Sequence, residues 1–232
     1  MQISEINSLI NDLKLLGSKQ KAESLQRFFK TAKGQYAYGD LFWGIPVPQT
    51  RKIARKYKDL NINLLHELLE NKVHEVRFCA LIIMILQSKN IPKQITNLYL
   101  KKTKFINNWD LVDVSAEAIV GRFLLNRDCS LLYSLAKSES LWERRIAIIA
   151  TFAFIKQGDY EHTVNIARIL MHDQHDLIHK AVGWMLREIG KRCSQEILEN
   201  FLEEYAVIMP RTMLRYAIEH LSVEKKMKYL RK

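Results

Sequence analysis

Trp109 and Asp113, in the segment FINNWDLVDVSAEAIVG, pair a large aromatic ring with a carboxylate four residues on. On a helix that spacing puts both on one face. A carboxylate held beside an aromatic wall can stabilise a developing cation or orient a water. The same pair also suits a plainer arrangement, with a core tryptophan and an acid paired to a neighbouring arginine. Asp110 is a competing acid, but one residue of offset turns it about 100° around the helix, away from the shared face.

Asp113 is also one of five charged residues, Arg77, Asp113, Arg145, Lys180 and Arg215, that recur every 32 to 36 positions. Each stands near the start of an apolar run, such as HEVRFCALIIMI or LWERRIAIIATF. A period of this size marks a helical solenoid, in which each unit buries its apolar face against its neighbours. Equivalent positions then project from one side, so the expectation is an all-α, curved stack with a basic concave face. Arg77, Arg145, Lys180 and Arg215 would line that face and suit a polyanion, with Asp113 the lone acid among them. Aromatic residues accompany the charges: Trp142 lies three residues before Arg145 and Trp184 four after Lys180, with Gly183 allowing close approach of a backbone or a ligand. Cations for phosphates and rings for sugars or bases are what a nucleic-acid groove requires.

The elements that must position these residues read as helices throughout, expected as one domain over residues 1–232. Leu64, Leu65, Leu68 and Leu69 show the helical spacing, and Pro46, Pro48, Pro92 and Pro210 all fall where a helix could begin. The irregular stretch KGQYAYGDLFWGIP, residues 33–46, is too long for a routine connection and is a candidate functional loop. After it, Arg51 and Arg55 form a cationic i, i+4 face suited to backbone phosphates. His172, His175 and His179 have a spacing that could present three imidazoles, but HDQHD reads better as a capped helix start, and no metal is expected.

Thirty-six Lys and Arg against 25 Asp and Glu give a net charge of +11, which favours anionic partners. The N-terminal MQISEINSLINDLKLLG carries Glu5 and Asp12 and is not expected to be a secretion signal. CALIIMIL, residues 79–86, is far too short to span a membrane. Cys79, Cys129 and Cys193 form no CxxC pair and read as small buried hydrophobes, so a cytoplasmic, nucleoid-associated monomer is expected.

Taken in order, LFWGIPVPQTRKIARKY, NWDLVD, LWERRIA and HKAVGWMLREIGKR resemble the AlkD-type DNA alkylation repair glycosylases, built from HEAT-like repeats, over about residues 25–220. The resemblance implies excision of cationic N3- and N7-alkylated purines from double-stranded DNA without metal or cofactor, a base excision repair activity. It assigns Asp113 to stabilising the sugar oxocarbenium ion and positioning the water. Trp109 and Trp184 would contact the deoxyribose, Arg145 the backbone beside it, and Tyr36 would match an N-terminal tyrosine. Some members of the family hold the lesion without flipping the base into a pocket. Asn108, Asp176 and Leu177 depart from the family pattern, where aromatic residues stand. A non-enzymatic binder of damaged or branched DNA is therefore the first alternative, and a protein-binding HEAT scaffold the second.

Overall fold

The structure, a computed structural model, describes residues 2–231. Its elements are helices, and the strand-like pairing among the described residues is one isolated bridge between Leu41 and Val73. The chain divides into two compact units, residues 1–115 and 116–232. The first holds α1 (Gln2–Lys14), α2 (Lys19–Phe28), α3 (Val47–Lys56), α4 (Ile62–Leu69), α5 (His74–Gln87), α6 (Pro92–Lys101) and the start of α7 (Trp109–Ala116). The second holds a π-helical turn, Glu117–Gly121, then α8 (Arg122–Leu124), α9 (Ser130–Ala136), α10 (Leu141–Ala150), α11 (Phe152–Ile155) and α12 (Glu161–Ile169). It is completed by α13 (Asp176–Arg192), α14 (Gln195–Tyr205), α15 (Arg211–Ala217) and α16 (Val223–Leu230).

The prolines sit where a missing N–H costs nothing: Pro46 and Pro210 cap α3 and α15, Pro48 lies in the first turn of α3, and Pro92 opens α6. In the second unit α10 packs on α13 and α13 on α15, while α9 and α12 each back their following helix. In the first, α3 and α4 both pack on α5. This neighbour-to-neighbour stacking is the helical-repeat arrangement that the charge period implies. The period also holds in register. Asp113, Arg145, Lys180 and Arg215 are each the fifth residue of their helix, and Arg77 is the fourth of its own.

Residues 33–46 are irregular, as their composition suggests, and are pinned by two devices. The buried Glu75 carboxylate accepts N–H groups from Trp43, Gly44 and Ile45 at 2.7–3.2 Å. Gly44 has φ +78°, and a Cβ there would meet the Ser18 carbonyl oxygen at 2.2 Å, so only glycine lets the loop close on the start of α2.

A buried charge cluster anchors the same loop to α5 and α7. The Asp40 carboxylate accepts from Arg77 Nη2 at 2.6 Å, from Asn107 Nδ2 at 3.2 Å and from His74 Nδ1 at 3.3 Å. His74 Nε2 lies 2.8 Å from the Asp110 carboxylate, and Arg77 Nη1 donates to the Asn71 carbonyl at 2.8 Å. With a carboxylate at each ring nitrogen, both nitrogens act as donors only in the imidazolium. Burial opposes that charge, but the Asp110 charge and the bonds to Asp110 and Asp40 outweigh it and raise the His74 pKa above its ordinary 6.5. Burial likewise works to raise the Asp40 pKa, but His74, Arg77 and Asn107 together hold it below 3.8.

Two predictions follow from this packing. A Cβ on Gly183 of α13 would meet the Met213 carbonyl at 2.4 Å and Tyr216 Cβ at 2.5 Å on α15. Gly183→Ala should therefore lower stability by about 1–3 kcal/mol, read from urea unfolding, despite the better helix propensity of alanine. An unchanged midpoint would show that α13 and α15 are not in this contact. The second concerns pH. A raised histidine pKa stabilises fully below about 6.5 and is lost as pH rises through the folded value. The difference in urea midpoint between wild type and His74→Gln should thus be largest near pH 6 and shrink toward pH 9. A pH-independent difference would rule out the imidazolium.

Candidate functional site

Trp109 opens α7 and Asp113 follows one turn later, as the sequence spacing requires. The two are half-buried. Asn108 caps the entry: its Oδ1 accepts the Trp109 N–H at 2.8 Å, while its own Nδ2 is buried without a hydrogen-bond partner. Below the helix, Ser115 donates to the Leu111 carbonyl at 2.5 Å and shares a hydrogen bond with the buried Tyr99 hydroxyl at 2.9 Å. Burial, together with the charge of Asp113, pushes the Tyr99 pKa up, so its hydroxyl stays a neutral donor. Asp110 does turn away from the Trp109–Asp113 face, toward His74.

Trp109 ends a column of rings. It stacks on Phe29 at 5.3 Å, Phe29 on Phe42 at 5.1 Å, and Phe42 on His74 at 4.5 Å. Phe28 meets the Trp109 ring edge-on at 5.9 Å and is 62% exposed, so an open aromatic edge borders the face that carries Asp113. Sequence reasoning passed over Phe28, Phe29, Phe42, Asp40 and His74 and named Tyr36, a half-buried residue of the 33–46 loop. The pair FF at the end of a polar helix was the available signal for the aromatic edge. Arg51 and Arg55 are exposed on α3, as a phosphate-binding face requires.

The expected surface cations divide into two kinds. Arg77 is 3% exposed and committed to Asp40, so it is an internal ion pair and no rung of a surface ladder. Arg145 is 4% exposed and donates through Nη1 to the Leu177 carbonyl, tying α10 to the start of α13. These two correct the expectation of four cations along one surface. A five-donor guanidinium can satisfy buried carbonyls and carboxylates, and burial follows from that. Arg144, beside Arg145, reaches Asp173 at 2.6 Å. Lys180 is half-exposed and pairs with Asp176 at 2.7 Å, while Arg215 is exposed on α15.

Trp184 is half-buried near Phe152, with ring centroids 6.3 Å apart, and Lys156 and Arg192 lie over the Phe152 face at 4.5 and 5.1 Å. Gly183 admits the backbone of α15 rather than a ligand. His175 caps α13 by accepting the Leu177 N–H, and His179 lies against the Asp173 carbonyl, so these imidazoles are spent on local structure. No cluster of metal-ligating side chains occurs among the described residues, and no helix is long and apolar enough to cross a membrane.

No curated protein is significantly similar to the chain in sequence. Among solved structures, it is similar in fold to a predicted DNA alkylation repair enzyme from Enterococcus faecalis, with a TM-score of 0.72 and 15% identity over 89% of this chain and 97% of that one. It is also similar to AlkD2 from Streptococcus mutans, with a TM-score of 0.59 and 16% identity over 96% and 100% of the two chains. At such identities these likenesses speak for the fold. The sequence pattern of the DNA alkylation repair enzymes matches residues 9–221, which takes in α7, the 33–46 loop and the basic helices, and the chain belongs to that family.

Proposed function

We propose that the chain is a DNA glycosylase that releases cationic N3- or N7-alkylated purines from duplex DNA. The observation that carries this reading is the Trp109–Asp113 face of α7, a half-buried carboxylate one turn from an indole with an exposed aromatic edge beside it. An alkylated purine already carries positive charge, so its glycosidic bond breaks without a strong acid to protonate the leaving base. What remains is to stabilise the cationic sugar, a task for one carboxylate and for aromatic faces worth about 0.5–2 kcal/mol per cation–π contact. Asp113 is the anion opposite the oxocarbenium ion and the group that orients the incoming water. Trp109 lies along the sugar, Trp184 is the second aromatic of the reading, and Lys180, Arg215, Arg51 and Arg55 bind phosphates.

One observation favours a second, non-catalytic reading as a binder of damaged DNA. Lys180 is paired with Asp176, one of the positions that depart from the family pattern, so part of the basic face is neutralised within the protein.

Two measurements test the proposal. Methylated duplex DNA should release 3-methyladenine or 7-methylguanine with wild type, and Asp113→Asn should slow release by roughly 10²-fold while binding DNA at least as well. Equal release by the variant would remove Asp113 from the mechanism, and tight binding with no release by wild type would select the second reading. Affinity for duplex DNA should fall steeply with salt, and Arg215→Ala and Lys180→Ala should each lower the salt slope by about one unit. Salt-independent binding would exclude these two residues as phosphate contacts.

A further inference from the structure

His74 touches both supports of the Trp109–Asp113 face. Its Nε2 lies 2.8 Å from the Asp110 carboxylate in the first turn of α7, one turn before Asp113. Its ring stacks on Phe42 at 4.5 Å and leans on Phe29 at 5.1 Å, and Phe29 in turn stacks on Trp109. The other ring nitrogen, Nδ1, lies 3.3 Å from Asp40 in the loop. His74 is 2% exposed, so a contact that the ring gives up is not taken over by bulk water. The charges that face it are Asp110 from α7, Asp40 from the loop and Arg77 on its own helix. Phe29 and Phe42 carry no charge, and Glu75 is turned to the loop N–H groups. Asp40 has Arg77 and Asn107 as further partners, whereas Asp110 otherwise accepts only the N–H of the next residue, Leu111, at 2.9 Å. Asp110 is thus tied to α5 through His74.

A neutral imidazole has one N–H and one lone pair, and here both nitrogens face a carboxylate. In either tautomer one carboxylate lies against the lone pair, and the ring must move away from it. A shift away from Asp110 frees the first turn of α7, and a shift away from Asp40 disturbs the column of Phe42 and Phe29 under Trp109. We propose that His74 is a positioning residue for the Trp109–Asp113 face, which keeps its geometry only while the imidazole is protonated. The use of that face as a sugar site rests on the glycosylase reading, whereas the coupling of His74 to Trp109 rests on the contacts alone. Burial opposes the proton, but Asp110 and Asp40 hold it, so it is kept near neutral pH and lost on the alkaline side. A reaction that develops a cation depends steeply on where its anion stands, since about 1 Å of misplacement can cost ~10²-fold in rate. Phosphate contacts through Arg51 and Arg55 need no such proton. Alkaline pH therefore slows base release and leaves duplex binding in place.

The test follows the Trp109 indole N–H and the His74 ring of the full chain by nuclear magnetic resonance between about pH 5.5 and 9.5. Trp109→Phe and His74→Gln assign the two signals. The Trp109 signal should shift with the midpoint of the His74 ring, and the shift should vanish in His74→Gln. In Asp110→Asn, which removes a charge that helps to hold the proton, both midpoints should move together to lower pH. With methylated duplex DNA in single turnover, base release should fall by about tenfold across the same midpoint, and His74→Gln should be slow throughout. The pH dependence of duplex affinity should be the same in wild type and His74→Gln. A Trp109 signal that ignores the His74 titration would overturn the proposal. So would an imidazole already neutral at about pH 6, or release as fast above the midpoint as below it. A Trp109 signal that follows His74 in a protein that releases no base would uphold the positioning role and reject the glycosylase reading.

Discussion

Burying Arg77, His74 and Asp40 against the half-buried Asp110 constrains everything around them, because a buried charge that loses its partner costs several kcal/mol. Two cations meet two carboxylates, so the cluster is neutral when His74 is protonated. Its members come from three places: Asp40 from the irregular loop, His74 and Arg77 from the first turn of α5, and Asp110 from the first turn of α7. Satisfying the four charges at once leaves little freedom for the loop or for the rotation of α7. That rotation matters, since turning Asp110 toward His74 leaves Asp113 on the side of Trp109. The ion cluster is thus a positioning device for residues it does not touch, and Glu75, holding three successive N–H groups of the loop, acts in the same sense.

Fold class was open to sequence reasoning because the period in charge coincides with a period in helix starts. The fifth-residue register of Asp113, Arg145, Lys180 and Arg215 shows why counting worked. Depth was not open to it. A period reports where a residue sits on its helix, whereas burial depends on what packs above it. The partner that draws Arg77 inward lies 37 residues earlier, in a segment with no periodicity. Likewise Arg145 finds a backbone carbonyl 32 residues on, and no side-chain pattern announces a carbonyl. The Lys180–Asp176 pair, by contrast, is an i, i+4 contact that could have been read from the sequence. The family resemblance, carried by motif order, is matched by the family pattern over residues 9–221.

The aromatic column shows a second limit. Phe28 and Phe29 are adjacent in sequence yet do different work: Phe29 is buried in the stack, and Phe28 stands in solvent at its edge. Solvating a phenyl ring is unfavourable, so Phe28 leaves the stack with an apolar edge open to solvent. Helix α2 has no buried residues of its own, so Phe29, just beyond its end, ties it down.

The repeat makes positions equivalent without making roles equivalent. The recurring charge is an internal ion pair in Arg77, a backbone clamp in Arg145, a partly neutralised cation in Lys180 and an open one in Arg215. The corresponding place in α7 carries an acid instead. An acid there repels a polyanion, so this position departs in sign from its equivalents. Arginine at that place would bind phosphate better, but it would oppose an oxocarbenium ion. In the proposed glycosylase, the negative charge beside Trp109 is the group that a cationic sugar calls for.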